Sequence, residues 1–195
     1  MGHPIEGNAQ LSEPDETVLV RRCQKGDREA FSILVDRHRT MLFGTAYLMA
    51  RDRQLAEDAV QESLILIWKH IGSLRKPSGL KAWVARIVIN EVRRQARKKG
   101  MTMVTLEELP EAPEATEEMA TMVRSEIRQD LAMALGRLPH DQREAVVLRF
   151  FSDLTVPEIA AATGCREGTI KSRLSRAMDR LGEMLRSYES REGRR

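Results

Sequence analysis

The stretch Leu154–Leu181, LTVPEIAAATGCREGTIKSRLSRAMDRL, predicts two helices joined by a tight turn. Thr155 and Glu158 have the spacing of a capping box, in which each side chain satisfies a free backbone N–H at the helix start. Gly164 can adopt the positive φ that ends a helix sharply. After the turn, apolar residues recur at the spacing of one buried helix face, namely Ile170, Leu174, Ala177 and Leu181.

The second helix of this pair is basic on the side opposite its apolar stripe. Arg or Lys can bridge the O6 and N7 atoms of guanine, and Thr can contact a thymine methyl group. A Gly-containing turn followed by a basic helix is typical of a helix-turn-helix that enters the major groove. A helical hairpin with a merely solvated face has the same pattern, so that alternative stays open here. The candidate DNA contacts are Arg166, Thr169, Lys171, Ser172, Arg173, Arg176 and Arg180.

Composition favours an all-α fold. The chain has 195 residues, of which 4% are aromatic and 31% charged, and this length allows one large domain or two small ones. The net charge is only +3, but its distribution is uneven. Lys and Arg are concentrated in residues 75–99 and 166–195, which are two separate candidate nucleic-acid footprints.

The sequence offers no candidate catalytic site. It contains no Gly-rich phosphate loop and no nucleophile elbow, and Cys23 and Cys165 lie far apart without a C-x-x-C motif. Its four histidines have no metal-ligand spacing, so we expect no enzyme activity, no cofactor and no metal. The first residues lack the basic and apolar segments of a signal peptide, and no apolar run is long enough to span a membrane. These features predict a soluble cytoplasmic protein.

Helical periodicity predicts two small helical domains joined by a flexible acidic linker. Asp27 and Asp52 stand where each could cap the helix that follows. The linker holds six glutamates without Lys or Arg, a composition typical of a solvated connection. The predicted divisions are an N-terminal arm at 1–14, a first domain at 15–99, the linker at 100–118, a second domain at 119–187 and a charged tail at 188–195.

A basic helix also follows the loop Gly72–Gly79. At about 100° per residue, Arg86, Asn90, Arg93 and Arg97 fall on the side opposite Trp83. Arg on a helix face is often only solvated, so this pattern alone leaves that alternative open.

Four stretches in this order resemble the extracytoplasmic-function (group IV) sigma factors of the bacterial sigma-70 family. The resemblance covers roughly residues 15–187. Leu80, Arg166 and Met178 depart from residues that are common in that family. The stretches are Gly26–Arg37 and Asp52–Trp68, which resemble the start and the core-binding helix of region 2; Trp83–Arg94, which resembles the segment that handles the −10 element; and Leu138–Ala177, which resembles region 4.

The resemblance implies a transcription initiation factor that binds core RNA polymerase, recognises −35 and −10 promoter elements, and helps to melt the −10 element. It implies contacts from region 2 to the clamp helices of the largest subunit and from region 4 to the flap of the second subunit. It also implies a monomer that an anti-sigma factor inhibits until a stress signal. The implied polymerase contacts are Asp52, Glu57, Asp58, Gln61 and Glu62; the implied −10 contacts are Arg75, Lys76, Ser78, Arg86, Asn90, Arg93, Arg94 and Arg97.

Two other readings remain. A helix-turn-helix repressor would bind duplex DNA as a dimer without polymerase, using residues 15–99 as a sensor or dimerisation module. An interaction adaptor would bind only proteins. A repressor has no reason to carry both Asp52–Trp68 and Trp83–Arg94, which favours the sigma factor.

Overall fold

The computed structural model describes residues 14–100 and 129–192, and every regular element within these residues is helical. The predicted all-α class is therefore confirmed for this part of the chain, and none of its helices is long and apolar enough to cross a membrane. Four predicted segments lie wholly or mostly outside the described residues: nearly all of the arm and of the acidic linker, the start of the second domain and the last residues of the tail. The N-terminal module contains α1 (Glu16–Gln24), α2 (Arg28–Ala50), α3 (Arg53–His70) and α4 (Leu80–Lys98); the C-terminal module contains α5 (Gln129–Arg137), α6 (His140–Val146), α7 (Val156–Thr163) and α8 (Glu167–Glu192).

Local sequence signals set where α2 and α3 begin. The Asp27 carboxylate accepts a hydrogen bond from the N–H of Ala30 at 3.1 Å, and the Asp52 carboxylate accepts one from the N–H of Leu55 at 2.6 Å. Each cap satisfies an N–H without an intrahelical partner and contributes about 1 kcal/mol. The capping predictions for Asp27 and Asp52 are thus confirmed.

The four helices of the N-terminal module bury a shared apolar core. Leu19, Met49, Leu55 and Leu80 are each less than 2% exposed and come from all four helices. At the periphery, the rings of Phe31 and Trp68 meet edge to face with centroids 5.0 Å apart. Such a pair adds about 1 kcal/mol to the burial that joins α2 and α3.

The helix-turn-helix forms in the C-terminal module as its sequence predicts. Gly164 has φ +72° and ends α7. The Glu158 carboxylate accepts hydrogen bonds from the N–H of Thr155 at 2.8 Å and from its hydroxyl at 2.7 Å, which lowers the pKa of Glu158. The apolar stripe of α8 faces inward: Ile170 and Ala177 are fully buried and Leu181 is 5% exposed.

The apolar residues after α6, among them Phe150, are predicted from their helical spacing to pack inward. For Phe150 this prediction is wrong, because its side chain is 62% exposed. The backbone from Val147 to Phe151 forms a π-helical turn. Val147 and Phe151 pack in one apolar cluster and Leu148 in the other, and Phe150 is left outside both.

The two modules pack directly against each other. The hydroxyl groups of Thr45 on α2 and Ser152 after α6 are 2.9 Å apart and buried. The ring of Phe151 lies where a Cβ on Gly44 would stand, so the absence of a side chain at residue 44 permits the contact. Apolar residues of α4 and of the C-terminal module form one cluster that includes Ala85, Ile89, Leu148, Leu154 and Ile159. The sequence does not predict this interface.

Candidate polymerase and promoter interfaces

The acidic residues predicted to bind polymerase lie along α3. Asp52 caps the helix, and the Glu57 carboxylate accepts a hydrogen bond from Arg53 Nε at 2.7 Å. Asp58 accepts one from the amide of Gln54 at 3.1 Å. These local contacts leave each carboxylate partly exposed on one helix, where it adds negative charge to the surface.

Further along α3, the surface combines polar and apolar groups. Gln61 and Glu62 are exposed, and Glu62 is 3.9 Å from Arg94 on α4. Ile65 is 47% exposed and lies one turn beyond them. Ile65 is not among the contacts predicted above, although an apolar residue between the acidic face and the buried stripe of a helix can indicate an interface.

The loop that the resemblance assigns to the −10 base consists of two short 3-10 turns, Ile71–Ser73 and Pro77–Gly79. Leu74 lies between them and is 9% exposed, which anchors the loop in the core. Both turns contact α1. Three predicted contacts on this loop, Arg75, Lys76 and Ser78, are exposed.

The predicted contacts on α4 fall into two groups. Arg86, Asn90 and Arg97 are exposed, as their helical spacing predicts. Arg93 and Arg94 are partly buried because each pairs with a carboxylate: Arg93 Nη2 is 2.6 Å from Glu144 Oε1, and Arg94 Nε is 2.8 Å from an oxygen of Glu91. The structure therefore does not gather all five residues on one free face.

The predicted −35 contacts line the outer side of α8. The Ser172 hydroxyl donates to the backbone carbonyl of Thr169 at 2.9 Å, a local bond within the helix. Two contacts within the protein fix the guanidinium of Arg173. Its Nε is 3.1 Å from Asp141 Oδ2, and its Nη1 donates to Cys165 Sγ at 3.3 Å. The exposed members of the set are Arg166, Thr169, Lys171, Arg176 and Arg180.

A buried polar cluster lies where the modules meet. Burial raises the pKa of Glu144, while Arg93 opposes that shift. Burial and the charge of Arg143 lower the pKa of His140 to about 4. Burial also lowers the pKa of Arg143 to about 10, with a further contribution from Arg51.

Two arginines of this cluster share one backbone acceptor. Arg51 Nη1 donates to the carbonyl of Gly136 at 3.2 Å, and Arg143 Nη1 donates to the same oxygen at 3.4 Å. Glu144 and His140 look like ordinary helix residues in the sequence, which carries no signal for this cluster.

Two family models match the chain in the order of the two modules. The model "Sigma-70 region 2" covers residues 34–102, and "Sigma-70, region 4" covers residues 128–181. Gln24 and the rest of α1 precede the first match. The family models thus agree with the resemblance seen in the sequence.

Relatives similar over most of their length are RNA polymerase sigma factors. The sigma-H factor of Pseudomonas aeruginosa is 31% identical over 186 residues, 90% of this chain and 96% of that protein. The ECF factor SigM of Mycobacterium tuberculosis (strain H37Rv) is 32% identical over 93% of this chain and 90% of that protein. The ECF sigma-E factor of Escherichia coli (strain K12) is 33% identical over 85% and 92%, respectively.

Two solved structures are also similar. CnrH, in complex with the cytosolic domain of CnrY, has a TM-score of 0.65 and 26% identity, and the match covers 89% of this chain and 99% of that one. The sigma factor RpoE of Bartonella quintana, in complex with the anti-sigma factor NepR, has a TM-score of 0.61 and 33% identity over 80% and 97%. Together with the two family models, these relatives establish that the chain belongs to the extracytoplasmic-function sigma factors of the sigma-70 family.

Proposed function

We propose that this chain binds core RNA polymerase, directs it to promoters with specific −35 and −10 elements, and helps to melt the −10 element. One observation carries the proposal: a single chain presents an acidic and apolar face on α3, a basic loop and helix in the same module, and a basic recognition helix in the other. A factor that must hold polymerase and two DNA elements needs all three surfaces. Catalysis of RNA synthesis stays with the polymerase, and the chain itself catalyses no reaction.

Polymerase binding would use α3 against the basic clamp helices of the largest subunit. The carboxylates on α3 give the encounter its orientation and speed, because interface charge affects on-rate and specificity more than affinity. Ile65, 47% exposed beside Gln61 and Glu62, supplies apolar area that the complex would bury. The C-terminal module would add a second contact, to the flap of the second subunit.

Opening of the −10 element would use the loop 71–79 and the exposed face of α4. Extrusion of a base from a duplex costs a few kcal/mol, so the open strand must gain contacts. Asn90 can present both a donor and an acceptor to a base edge. Arg86 and Arg97 are exposed on the same helix and can pair with backbone phosphates of the unpaired strand.

Recognition of the −35 element would use α8 in the major groove. Arg166 and Thr169 lie at or near its N-terminal end, the end of a recognition helix that meets base edges. Arg176 and Arg180 lie further along the exposed side, where contacts to phosphate set the register of the helix on DNA. Arg173 would reach DNA from a position that Asp141 and Cys165 hold.

An anti-sigma factor would control this activity. The two solved relatives were each captured with a partner protein, CnrY's cytosolic domain in one case and the anti-sigma factor NepR in the other. An inhibitor of this chain would cover the face of α3 or would keep the two modules packed together. In this structure the ion pair of Arg93 with Glu144 joins the two modules. The chain would be a monomer outside such complexes, in the cytoplasm with the polymerase.

The test is transcription by the purified chain with purified core polymerase on a library of DNA templates with randomised −35 and −10 regions. Each template carries a barcode in its transcribed part, so sequencing of the run-off transcripts identifies the templates that were used. The −35 and −10 regions of these templates should share two conserved elements at fixed spacing, which core polymerase alone does not select. The chain without polymerase should select no duplex from the same library. Selection of an operator by the chain alone, without stimulation of transcription, would instead support the repressor.

A further inference from the structure

A side chain of α1 contacts the loop 71–79, here called the −10 loop. This side chain lies outside the residues that the region 2 model matches. The Nε2 group of Gln24 donates to the backbone carbonyl of Ile71 at 3.2 Å and to that of Leu74 at 2.9 Å. α1 also packs against both 3-10 turns of the loop. Gln24 is the last residue of α1 and lies ten residues before the first residue that the region 2 model matches.

The bond to Leu74 fixes more than one atom. A peptide unit is planar, so a hydrogen bond to the Leu74 carbonyl also fixes the N–H and Cα of Arg75. The Leu74 side chain is buried in the core, so this residue is anchored on both its polar and its apolar groups. The backbone from which the exposed side chains of Arg75 and Lys76 extend is therefore fixed in position.

Other hydrogen bonds of the loop are local. The N–H of Leu74 donates to the carbonyl of Ile71 at 3.1 Å, and the N–H of Gly79 donates to that of Lys76 at 3.0 Å. The Ser73 hydroxyl donates to the carbonyl of His70 at 2.7 Å. These bonds shape each turn, whereas Gln24 ties the first turn and the residue after it to a separate helix.

We propose that Gln24 is a positioning residue for capture of a −10 base. It keeps the loop in the arrangement in which Arg75, Lys76 and Ser78 meet unpaired DNA, an inference that rests on the proposed function. A loop that is ordered before binding does not lose conformational freedom when DNA arrives. Without the two bonds the loop samples other arrangements, and the apparent affinity for the correct base falls by the fraction of molecules that remain competent.

The test compares Gln24→Met with Val18→Met. Methionine is similar to glutamine in length and cannot donate to a carbonyl, so the first variant removes the two bonds with little change of shape. Val18 is on the same helix and 47% exposed, so its replacement is a control for a disturbed α1 surface. Both variants are studied as full chains, alone by hydrogen exchange and in complex with core polymerase on DNA.

Three measurements are made on each protein. Amide hydrogen exchange at Leu74 and Gly79 reports order in the loop, and a titration with core polymerase reports the rest of the module. The third measurement is the preference of the holoenzyme for a selected promoter with an unpaired −10 strand over the same DNA with one −10 base replaced. The promoter is taken from the library selection described above.

We expect Gln24→Met to speed exchange of the loop amides about tenfold and to reduce the base preference about tenfold, since two hydrogen bonds are lost. Exchange in α3 and α4, affinity for core polymerase and all properties of Val18→Met should stay at wild-type values. The inference is overturned if base preference is unchanged, or if affinity for core polymerase falls in parallel. If the wild-type holoenzyme itself shows no base preference, the proposed function fails, even where loop exchange responds to Gln24.

Discussion

Arg93 and Glu144 join the two modules through an ion pair of 2.6 Å, with the Glu144 side chain 2% exposed and the Arg93 side chain 28% exposed. Arg93 belongs to the helix with the predicted −10 contacts, whereas Glu144 belongs to the helix that precedes the helix-turn-helix. The pair therefore connects the two modules through a side chain that the family resemblance assigns to the −10 element.

Removal of Arg93 should destabilise the protein because it leaves a buried carboxylate without its cation. We expect Arg93→Met to lower the free energy of unfolding by about 3 kcal/mol. The double variant Arg93→Met/Glu144→Met should be more stable than the single one, since no uncompensated charge remains. Urea unfolding at pH 7 measures both, and Arg86→Met, an exposed arginine on the same helix, should change stability by less than about 0.5 kcal/mol. Equal effects at residues 86 and 93 would contradict the role of the pair.

Acid should destabilise the protein through His140. The pKa of His140 is about 4 in the folded protein and 6.5 in the unfolded chain. Between these two pH values the unfolded chain therefore binds a proton at His140 that the folded protein does not. The contribution of neutral His140 to the free energy of unfolding is complete above pH 6.5 and is lost as the pH falls towards 4. Because His140 is partly exposed, we expect a loss of about 2 kcal/mol rather than the full value of the shift.

The measurement is the difference in unfolding free energy between pH 7 and pH 4.5 for wild type and His140→Gln. The variant should lose about 2 kcal/mol less than wild type over this range. Glu144, whose pKa is raised, acts in the opposite direction, but it is present in both proteins and cancels in the comparison. Identical pH dependence in the two proteins would show that His140 is not buried in its neutral form.

A methyl group at residue 44 should weaken the contact between the modules. A Cβ on Gly44 would overlap the ring of Phe151, so Gly44→Ala forces the ring to move. We expect a net loss of about 1 kcal/mol in unfolding free energy, although alanine is favoured over glycine in a helix by about 1 kcal/mol. Gly182→Ala, where the new Cβ would meet an ordinary contact at 3.9 Å, should stabilise the protein. The proposed role of Gly44 is contradicted if both alanines stabilise the protein equally, or if Phe151→Leu does not relieve the effect of Gly44→Ala.

Arg173→Ala should weaken binding of the holoenzyme to −35 DNA by about 1–3 kcal/mol. Asp141→Asn separates contact from support, since it loosens the 3.1 Å pair but leaves the guanidinium present. We expect a smaller loss for Asp141→Asn than for Arg173→Ala in a titration with duplex −35 DNA. Unchanged affinity for Arg173→Ala would remove this residue from the DNA contacts.

Local structure could be predicted from the sequence because local physics decides it. The caps at Asp27 and Asp52, the positive φ of Gly164 and the buried stripe of α8 all depend on residues within a few positions of each other. Phe150 is exposed because a π-helical turn changes the helical period. No residue in Val147–Phe151, VLRFF, indicates such a turn in the sequence. Contacts between distant residues, such as Thr45 with Ser152, leave no periodic signal.

The same limit applies to the candidate sites. Exposure of Arg86, Asn90 and Arg97 follows from helical spacing, but the pairing of Arg93 with Glu144 requires the other module to be in place. Gln24 could not be found from sequence either, because its partners are backbone carbonyls 47 and 50 residues away. Such contacts depend on tertiary packing, and the side-chain types alone do not encode them.

The central claim is that this chain gives polymerase its promoter specificity, and footprinting on a promoter taken from the library selection tests it most directly. We expect protection of the −35 and −10 regions, with permanganate-reactive thymines at −10, when the chain and core polymerase are present together. Neither the chain alone nor core polymerase alone should give this pattern. Protection of duplex DNA by the chain alone, with no opening at −10 after core polymerase is added, would contradict it.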